Sequence, residues 1–396
     1  MAEGTAGSGD IAVVLGTRPE IIKLAPVIRQ LGLRARLIWT GQHYDPALTD
    51  VFFEGCGLVV PPEQLSGVGG QHRGTQIATV LSGLLTYLDE RPPRAVIVQG
   101  DTNTTNASAQ AAHYLGIPVV HVEAGLRSWD RAMPEEINRM IVGVVADVHC
   151  CATEGNARHL RQAGVADDAI LVTGNPIVEA TQAAAPSAEA QVELLARFQL
   201  SDRGFVLATI HRPENVDDPG QLGTILAALS GLPWPVVLPV HPRTGERVAR
   251  FGLSPPSGGP LRLTPPLDHR TFLGLAARAR ILVSDSGGVQ EEATILKKPL
   301  VVVRRSTERP EAIEAGFARM ARPDQVVDAV AAMAGDELAA RLQSVPCPFG
   351  DGRAGQRIAA AARALADARP SATHPPSGPP TLTWDDASAP AALQAP

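Results

Sequence analysis

Along almost its whole length the chain alternates short apolar runs, each ending abruptly in polar residues, with segments of helical periodicity. Runs at 11–15, 36–40, 95–98, 118–122, 147–152 and 170–173 fill the first half, and runs at 205–210, 236–240, 261–264, 281–284 and 300–303 the second. Most are continuously apolar rather than alternating, so they read as strands covered on both faces. Such strands belong to parallel sheets with helices above and below. Between them, 74–90 carries Ile77, Val80, Leu81, Leu84, Leu85 and Leu88 at helical spacing. Residues 46–54, 106–114, a segment from Glu135, 154–163 and 181–200 read as further helices, and 356–368 as the last. The regular β-α-β order predicts an α/β fold of two doubly wound parallel sheets, with a cleft between them as the place for a ligand.

Boundaries follow from the same pattern. Residues 1–10 are expected to be a flexible start, 11–176 a first domain and 177–350 a second, followed by a closing helical segment at 351–368. The proline- and alanine-rich remainder, 369–396, has little apolar periodicity and is expected to be disordered. With 396 residues and 44% apolar content the chain can fill two cores. A net charge of −6 argues against a general nucleic-acid binder, though not against a small anionic ligand met by local arginines. No apolar run approaches the roughly 20 residues of a membrane span, and the first ten residues lack the basic and apolar regions of a secretory signal, so a soluble, cytoplasmic location is expected. Cys56, Cys150, Cys151 and Cys347 have no C-x-x-C spacing, which predicts neither a zinc site nor a disulfide framework.

The chemistry is expected where strands end. Asp101 and Glu123 follow the runs at 95–98 and 118–122, and Glu135 and Glu136 follow Pro134 at a helix start, with Arg127 and Arg139 interleaved. Acids converging on one sheet edge suit proton transfer, because crowded or desolvated carboxylates can hold or accept a proton near neutral pH. Each acid taken alone also fits a plain helix start. The run at 11–15 opens into G-T-R-P-E-I-I-K, where Gly16 allows close approach, Pro19 suits a first helical turn, and Arg18 and Lys23 supply charge for a phosphate. In the second half, H-R-P-E-N places His211 and Arg212 after a strand, and V-H-P-R at 240–243 repeats that placement. S-D-S-G-G-V-Q-E-E-A reads either as a plain capped helix with a glycine pair or as a second anion site: Ser286 caps a helix whose first turn holds Gly287 and Gly288, leaving amides that can face an anion, and Glu291 and Glu292 lie one turn on, where a carboxylate could accept from ribose hydroxyls. Arg304, Arg305 and Arg309 add positive charge beyond the next strand. No dinucleotide fingerprint, P-loop or metal-binding histidine spacing occurs.

In order, G-T-R-P-E-I-I-K-L-A-P, G-Q-H, Q-G-D-T-N-T-T, H-V-E-A-G-L-R-S, P-E-E-I-N-R, T-G-N-P, H-R-P-E-N-V-D, P-V-H-P, S-D-S-G-G-V-Q-E-E-A and T-E-R-P-E-A resemble the non-hydrolysing UDP-N-acetylglucosamine 2-epimerases over about 11–365. The resemblance implies a GT-B type fold: two Rossmann-like domains, with the last helix crossing back to the first. It implies reversible inversion at C2 between UDP-GlcNAc and UDP-ManNAc by loss and re-addition of UDP through 2-acetamidoglucal. By matching positions it implies Asp101, Glu123 and Glu135 as acid/base groups, their division of labour left open, with His211 assisting. Arg18, Lys23, Arg139, Ser286, Gly287, Gly288, Glu292 and Arg309 would bind the UDP-sugar, and Phe272 would border the uracil. It implies neither NAD nor a metal, and a cytoplasmic homodimer supplying cell-envelope polysaccharide precursors. The chain departs from many bacterial members at H-R-P-E-N and at Tyr44-Asp45, the loop where those members bind an activating second UDP-GlcNAc. Rival expectations are a hydrolysing epimerase that releases ManNAc, a retaining glycosyltransferase, an epimerase of a modified UDP-2-acetamido sugar, and a nucleotide-sugar sensor without turnover.

Overall fold

The computed structural model describes residues 9–42, 53–58, 63–254 and 258–368. The first sheet has the order β3-β2-β1-β4-β5-β6-β7, from β1 Ile11–Leu15, β2 Ala35–Trp39, β3 Glu63–Gln64, β4 Ala95–Gln99, β5 Val119–Ala124, β6 Val148–Cys151 and β7 Ile170–Val172. The second has the order β10-β9-β8-β11-β12-β13, from β8 Val206–Thr209, β9 Val236–Pro239, β10 Leu261–Thr264, β11 Ile281–Ser284, β12 Leu300–Val303 and β13 Ala318–Ala321. All pairings are parallel. The two parallel α/β sheets expected from the apolar runs are present. In each, strand order reverses beside the first strand, between β1 and β4 and between β8 and β11. That reversal leaves a crevice at the carboxyl ends of the strands, where such sheets hold ligands.

The continuous apolar runs are explained by the cores. Ile11, Val13 and Leu15 join one buried cluster and Ala12 and Val14 another, so β1 is covered on both faces. The second sheet repeats this, with Val206 and Ala208 on one side and Phe205 and Leu207 on the other.

The last helix, Ala354–Ala368, does not pack on the second sheet. Its Ala354, Ile358, Ala359, Ala362 and Ala366 lie in the core of the first half with Ile21, Leu24 and Ile28 of helix Arg18–Leu31. Small residues let these two helices touch: a Cβ at Gly355 would lie 2.9 Å from the Cβ of Pro26. The chain passes between the halves twice, side by side. The Asn175 amide donates to the Phe349 carbonyl at 2.8 Å, and a Cβ at Gly350 would lie 3.1 Å from the Cα of Gly174.

Three sequence expectations differ from the structure. The single helix at 181–200 is two, Ile177–Ala184 and Ala188–Phe198, because Pro186 cannot continue the first and Ser187 caps the second by accepting from the Ala190 amide. Asp101 is not a helix cap: Thr102 takes that place for helix Asn103–Tyr114, accepting from the Thr105 amide at 3.0 Å. The two-residue edge strand β3 and the mixed strand β13 escaped notice, since neither forms a continuous apolar run. The expected flexible start (apart from residues 9 and 10), the helix at 46–54 apart from its last two residues, the Tyr44-Asp45 loop and the disordered tail lie outside the described residues.

Candidate active site

The carboxyl ends of β1, β4 and β5 face the helix that follows β11 across a cavity of about 640 Å3. Lys23, Asp101, Glu123, Glu135 and Arg139 line it from the first half; Ser286, Gly287, Gly288, Glu292 and Arg309 line it from the second. Arg18, His211 and Phe272 do not.

Glu123 sits at a break in β5. The register with β6 skips it, pairing Val122 with Cys150 and Ala124 with Cys151, and its φ is +63°. A left-handed non-glycine residue in a strand costs about 1–3 kcal/mol, and such strain persists where the surroundings over-determine it. Here they do. Lys23 Nζ donates to both carboxylate oxygens, at 2.9 and 2.7 Å, Gln99 Nε2 donates at 2.5 Å and Arg309 Nη2 at 3.2 Å. Arg309 Nε also donates to Glu291 at 2.8 Å, and Lys23 Nζ stands 3.1 Å from Glu291. Two cations and two anions, one of each from either half, are thus buried together. Burial pushes the Glu123 carboxyl up, but the Lys23 and Arg309 charges outweigh it and hold the group below the usual carboxylate range. Lys23 and Arg309 are raised in turn by Glu123 and Glu291 against the downward push of burial. Glu123 is therefore held as an ionised carboxylate by Lys23 and Arg309.

The other acids divide. Asp101, just past Gly100 at the end of β4, receives Arg139 Nη2 at 2.6 Å and Nε at 2.9 Å on one oxygen. Glu136 points away from the cleft: it accepts from the Ser128 amide at 2.8 Å and from Arg139 at 3.1 Å, and is 2% exposed. Its neighbour Glu135, one step round helix Pro134–Val145, faces the cavity half-buried. The acid pair thus has one member for the site and one that anchors the helix and Arg139.

Across the cleft, Ser286 stands at the N-cap of helix Gly287–Ile295 without making a capping bond. Gly287 has no room for a side chain, because a Cβ would lie 2.7 Å from Arg309 Nη1. An anion at this turn would meet both the free amides and Arg309. Glu292 accepts from His269 Nε2 at 2.8 Å; burial lowers the His269 imidazole, but the hydrogen bond and charge of Glu292 prevail and raise it. His211 is oriented by the fully buried Asp285, whose carboxylate lies 3.2 Å from Nδ1 and takes the amides of His211 and Arg212 and the Asn215 side chain. Burial lowers the His211 imidazole against the pull of Asp285. Arg18 is half-buried and near enough to His241 to add to the lowering that burial and Arg243 impose on that imidazole; the His241 ring lies 5.4 Å from that of His211. Phe272 packs against the core of the second half. No group of three or more acids, histidines or cysteines among the described residues is placed to hold a metal ion, and no helix among them is long and apolar enough to cross a membrane.

Comparison with known proteins bears on this arrangement. The family described as UDP-N-acetylglucosamine 2-epimerase matches residues 27–363. The chain belongs to that family. Among its members, the UDP-N-acetylglucosamine 2-epimerase of Methanocaldococcus jannaschii is 37% identical over 361 residues, 88% of this chain and 97% of that protein. The UDP-2,3-diacetamido-2,3-dideoxy-D-glucuronate 2-epimerase of Pseudomonas aeruginosa is 35% identical over 360 residues, 88% and 98% of the two chains. Of solved structures, the M. jannaschii enzyme in complex with UDP-GlcNAc and UDP superposes with a TM-score of 0.80 at 36% identity, covering 89% of this chain and 99% of that one. The Neisseria meningitidis enzyme bound to UDP-GlcNAc gives 0.80 at 29% identity, covering 89% and 98%. The two-sheet architecture is accordingly the GT-B type of this 2-epimerase family.

One feature of the G-T-R-P-E turn in this 2-epimerase family member departs from the sequence reading. The Gly16 and Thr17 amides do not face an anion in the cleft; both donate to the Glu20 carboxylate, at 2.6 and 2.7 Å. The other Glu20 oxygen takes the Thr102 hydroxyl at 2.7 Å, and burial raises this carboxyl. Gly16 is needed because a Cβ would collide with the Thr104 and Thr40 hydroxyls. The turn therefore braces β1 against the helix after Asp101, and the Ser286–Gly288 turn is left as the candidate anion site. Glu20, Gln99, Asp285, His269 and Asn138 were not singled out from sequence. Glu20, Gln99, Asn138 and Asp285 each lie inside a quoted motif, which is the signal the sequence carries for them.

Proposed function

We propose that this chain interconverts UDP-N-acetylglucosamine and UDP-N-acetylmannosamine at C2 without releasing the free sugar. The observation that carries this reading is the meeting of Asp101, Glu123 and Glu135 on one wall of the cavity with the Ser286–Gly288 turn and Arg309 on the other. The diphosphate rests on that turn with the sugar toward the carboxylates. A carboxylate takes the C2 proton while the C1–O bond to UDP breaks; the C2–H electron pair becomes the C1=C2 bond of 2-acetamidoglucal, and the C1–O pair leaves with the diphosphate. UDP then adds back to C1 as a proton reaches C2 from the opposite face. The two faces call for two proton-transfer groups, which three acids supply.

The C2 proton lies beside no carbonyl, so the step depends on stabilising the departing diphosphate. Arg309 serves both ends, touching the Gly287 turn and Glu123 at once. His211, aligned by Asp285, assists at the leaving group. Glu292 takes the ribose and Phe272 borders the base. Proton NMR of UDP-GlcNAc incubated with the protein tests the reading: UDP-ManNAc is expected, whereas free ManNAc would indicate the hydrolysing reaction.

The similarity to the P. aeruginosa relative supports a second reading, that the sugar carries a 3-acetamido group or a uronic acid. A panel of UDP-2-acetamido sugars separates the two by relative kcat/KM. We also take the chain to work in the cytoplasm as a homodimer. Support for the dimer comes from exposed apolar side chains on neighbouring helices, with Tyr114 at 68% and Val144 at 82% exposure.

A further inference from the structure

Two residues before Glu123 on β5 is His121, which the proposed chemistry does not use. It is buried at 1% exposure, and its Nε2 lies 2.8 Å from the Gly100 carbonyl oxygen. Burial presses the imidazole down to about 3, so it is neutral wherever the protein is folded. The charged and titratable groups that face it are His149, whose ring lies 6.4 Å away on β6, Arg127 and Glu123; His149 is itself pushed down by burial. A neutral imidazole beside a carbonyl carries its single proton on the nitrogen nearer that oxygen. His121 is thus a fixed N–H donor.

The bond matters because of what Gly100 precedes. Gly100 turns the chain out of β4 with φ +76°, and Asp101 follows it into the cleft. The orientation of Asp101 is set by the peptide planes on either side of its Cα. The plane before it ends in the Gly100 carbonyl, which His121 holds; the plane after it ends in the Asp101 carbonyl, which accepts from Asn138 Nδ2 at 2.8 Å. Asn138 is fixed in turn by Asn106, whose Nδ2 donates to it at 2.7 Å. Glycine tolerates either sense of rotation, so the Gly100–Asp101 peptide can flip cheaply without its donor.

We propose that His121 is a positioning residue for Asp101: its N–H fixes the Gly100 carbonyl and, with Asn138 on the far side, sets the direction in which the Asp101 carboxylate enters the cleft. This rests on the proposed reaction and extends it to the strand beneath the site.

The test compares His121→Phe, which keeps a ring and loses the donor, with His121→Gln, whose amide can reach the same oxygen. For His121→Phe, kcat is expected to fall about 100-fold with UDP affinity unchanged, since an ångström of misplacement at a reacting group has that effect and the diphosphate turn belongs to the other half. His121→Gln is expected to recover most of the loss, and the pH profile of kcat to drop without losing a limb. Wild-type kcat in His121→Phe, equal losses in both variants, or a vanished limb, which would make His121 a proton carrier, each overturn the proposal. A crystal structure of His121→Phe supplies a readout that needs no turnover: a reoriented Gly100–Asp101 peptide is expected, and an unmoved Asp101 overturns the proposal. Should the wild type turn over no UDP-2-acetamido sugar, the reaction reading falls, and this structural comparison still decides the positioning claim.

Discussion

Arg309 of the second half places its Nη2 3.2 Å from Glu123 Oε1 of the first, while its Nη1 packs against Gly287 at the head of helix Gly287–Ile295. One guanidinium therefore connects the Gly287 turn on one wall of the cleft to the Glu123 carboxylate on the other.

The buried cluster of Lys23, Glu123, Glu291 and Arg309 is balanced, and removing one member strands a charge. Lys23→Met and Glu123→Gln are each expected to destabilise the protein by about 3–5 kcal/mol, and the double variant by less than the sum. Denaturant melts of the four proteins check this, and strict additivity would contradict the cluster. Glu123→Gln should also lower kcat by about 10²–10⁴-fold.

Asp101→Asn keeps the shape of the side chain and removes its proton affinity. Exchange of the C2 hydrogen is expected to fall about 10²–10⁴-fold, with UDP binding retained because the diphosphate turn lies on the opposite wall. Calorimetry with UDP alongside a turnover assay separates the two effects; a variant with full exchange removes Asp101 from the site.

Asp285→Asn offers one acceptor where three donors and the His211 ring converge. A kcat loss of about 10²-fold is expected, together with a lower Tm, since the amide leaves buried donors unpaired. Wild-type kcat in this variant would take His211 out of the reaction.

The His269–Glu292 pair gives a pH signature. His269 is raised in the folded protein, so its contribution to stability is fully present below the ordinary imidazole value of about 6.5 and is lost as pH rises through the raised value. The stability gap between wild type and His269→Gln, of about 1.5 kcal/mol for a charge-assisted bond, is expected at acidic pH and absent at alkaline pH. A gap that grew with pH would reverse the assignment.

If the proposed homodimer buries the exposed side chain of Val144 on helix Pro134–Val145, Val144→Asp is expected to sediment as a monomer where the wild type sediments as a dimer. An unchanged dimer would move the interface elsewhere.

Much of this site was legible in the chain because its parts sit at strand ends. Asp101, Glu123 and the Ser286–Gly288 turn all follow apolar runs, and a parallel sheet brings every such end to one edge; Glu135 is marked instead by Pro134 at a helix start. What the chain could not disclose were pairings between distant residues. Nothing local marks Glu136 as the anchor and Glu135 as the group that faces the cavity; that follows from which side of one helix turn meets Ser128 and Arg139. Glu20 reads as an ordinary first-turn acid, and only the fold shows it filling the amides that a phosphate was expected to use. Lys23 likewise looks like a phosphate ligand until Glu123 and Glu291, both far away along the chain, close round it.

The central claim is that acids in this cleft remove and replace the hydrogen at C2 while UDP leaves and returns. Incubating the wild-type protein with UDP-GlcNAc in D2O and recovering the UDP-sugars tests it most directly. Deuterium is expected at C2 of both UDP-GlcNAc and UDP-ManNAc; tight binding of UDP-GlcNAc with neither deuterium nor epimer would contradict removal of the C2 hydrogen in this cleft.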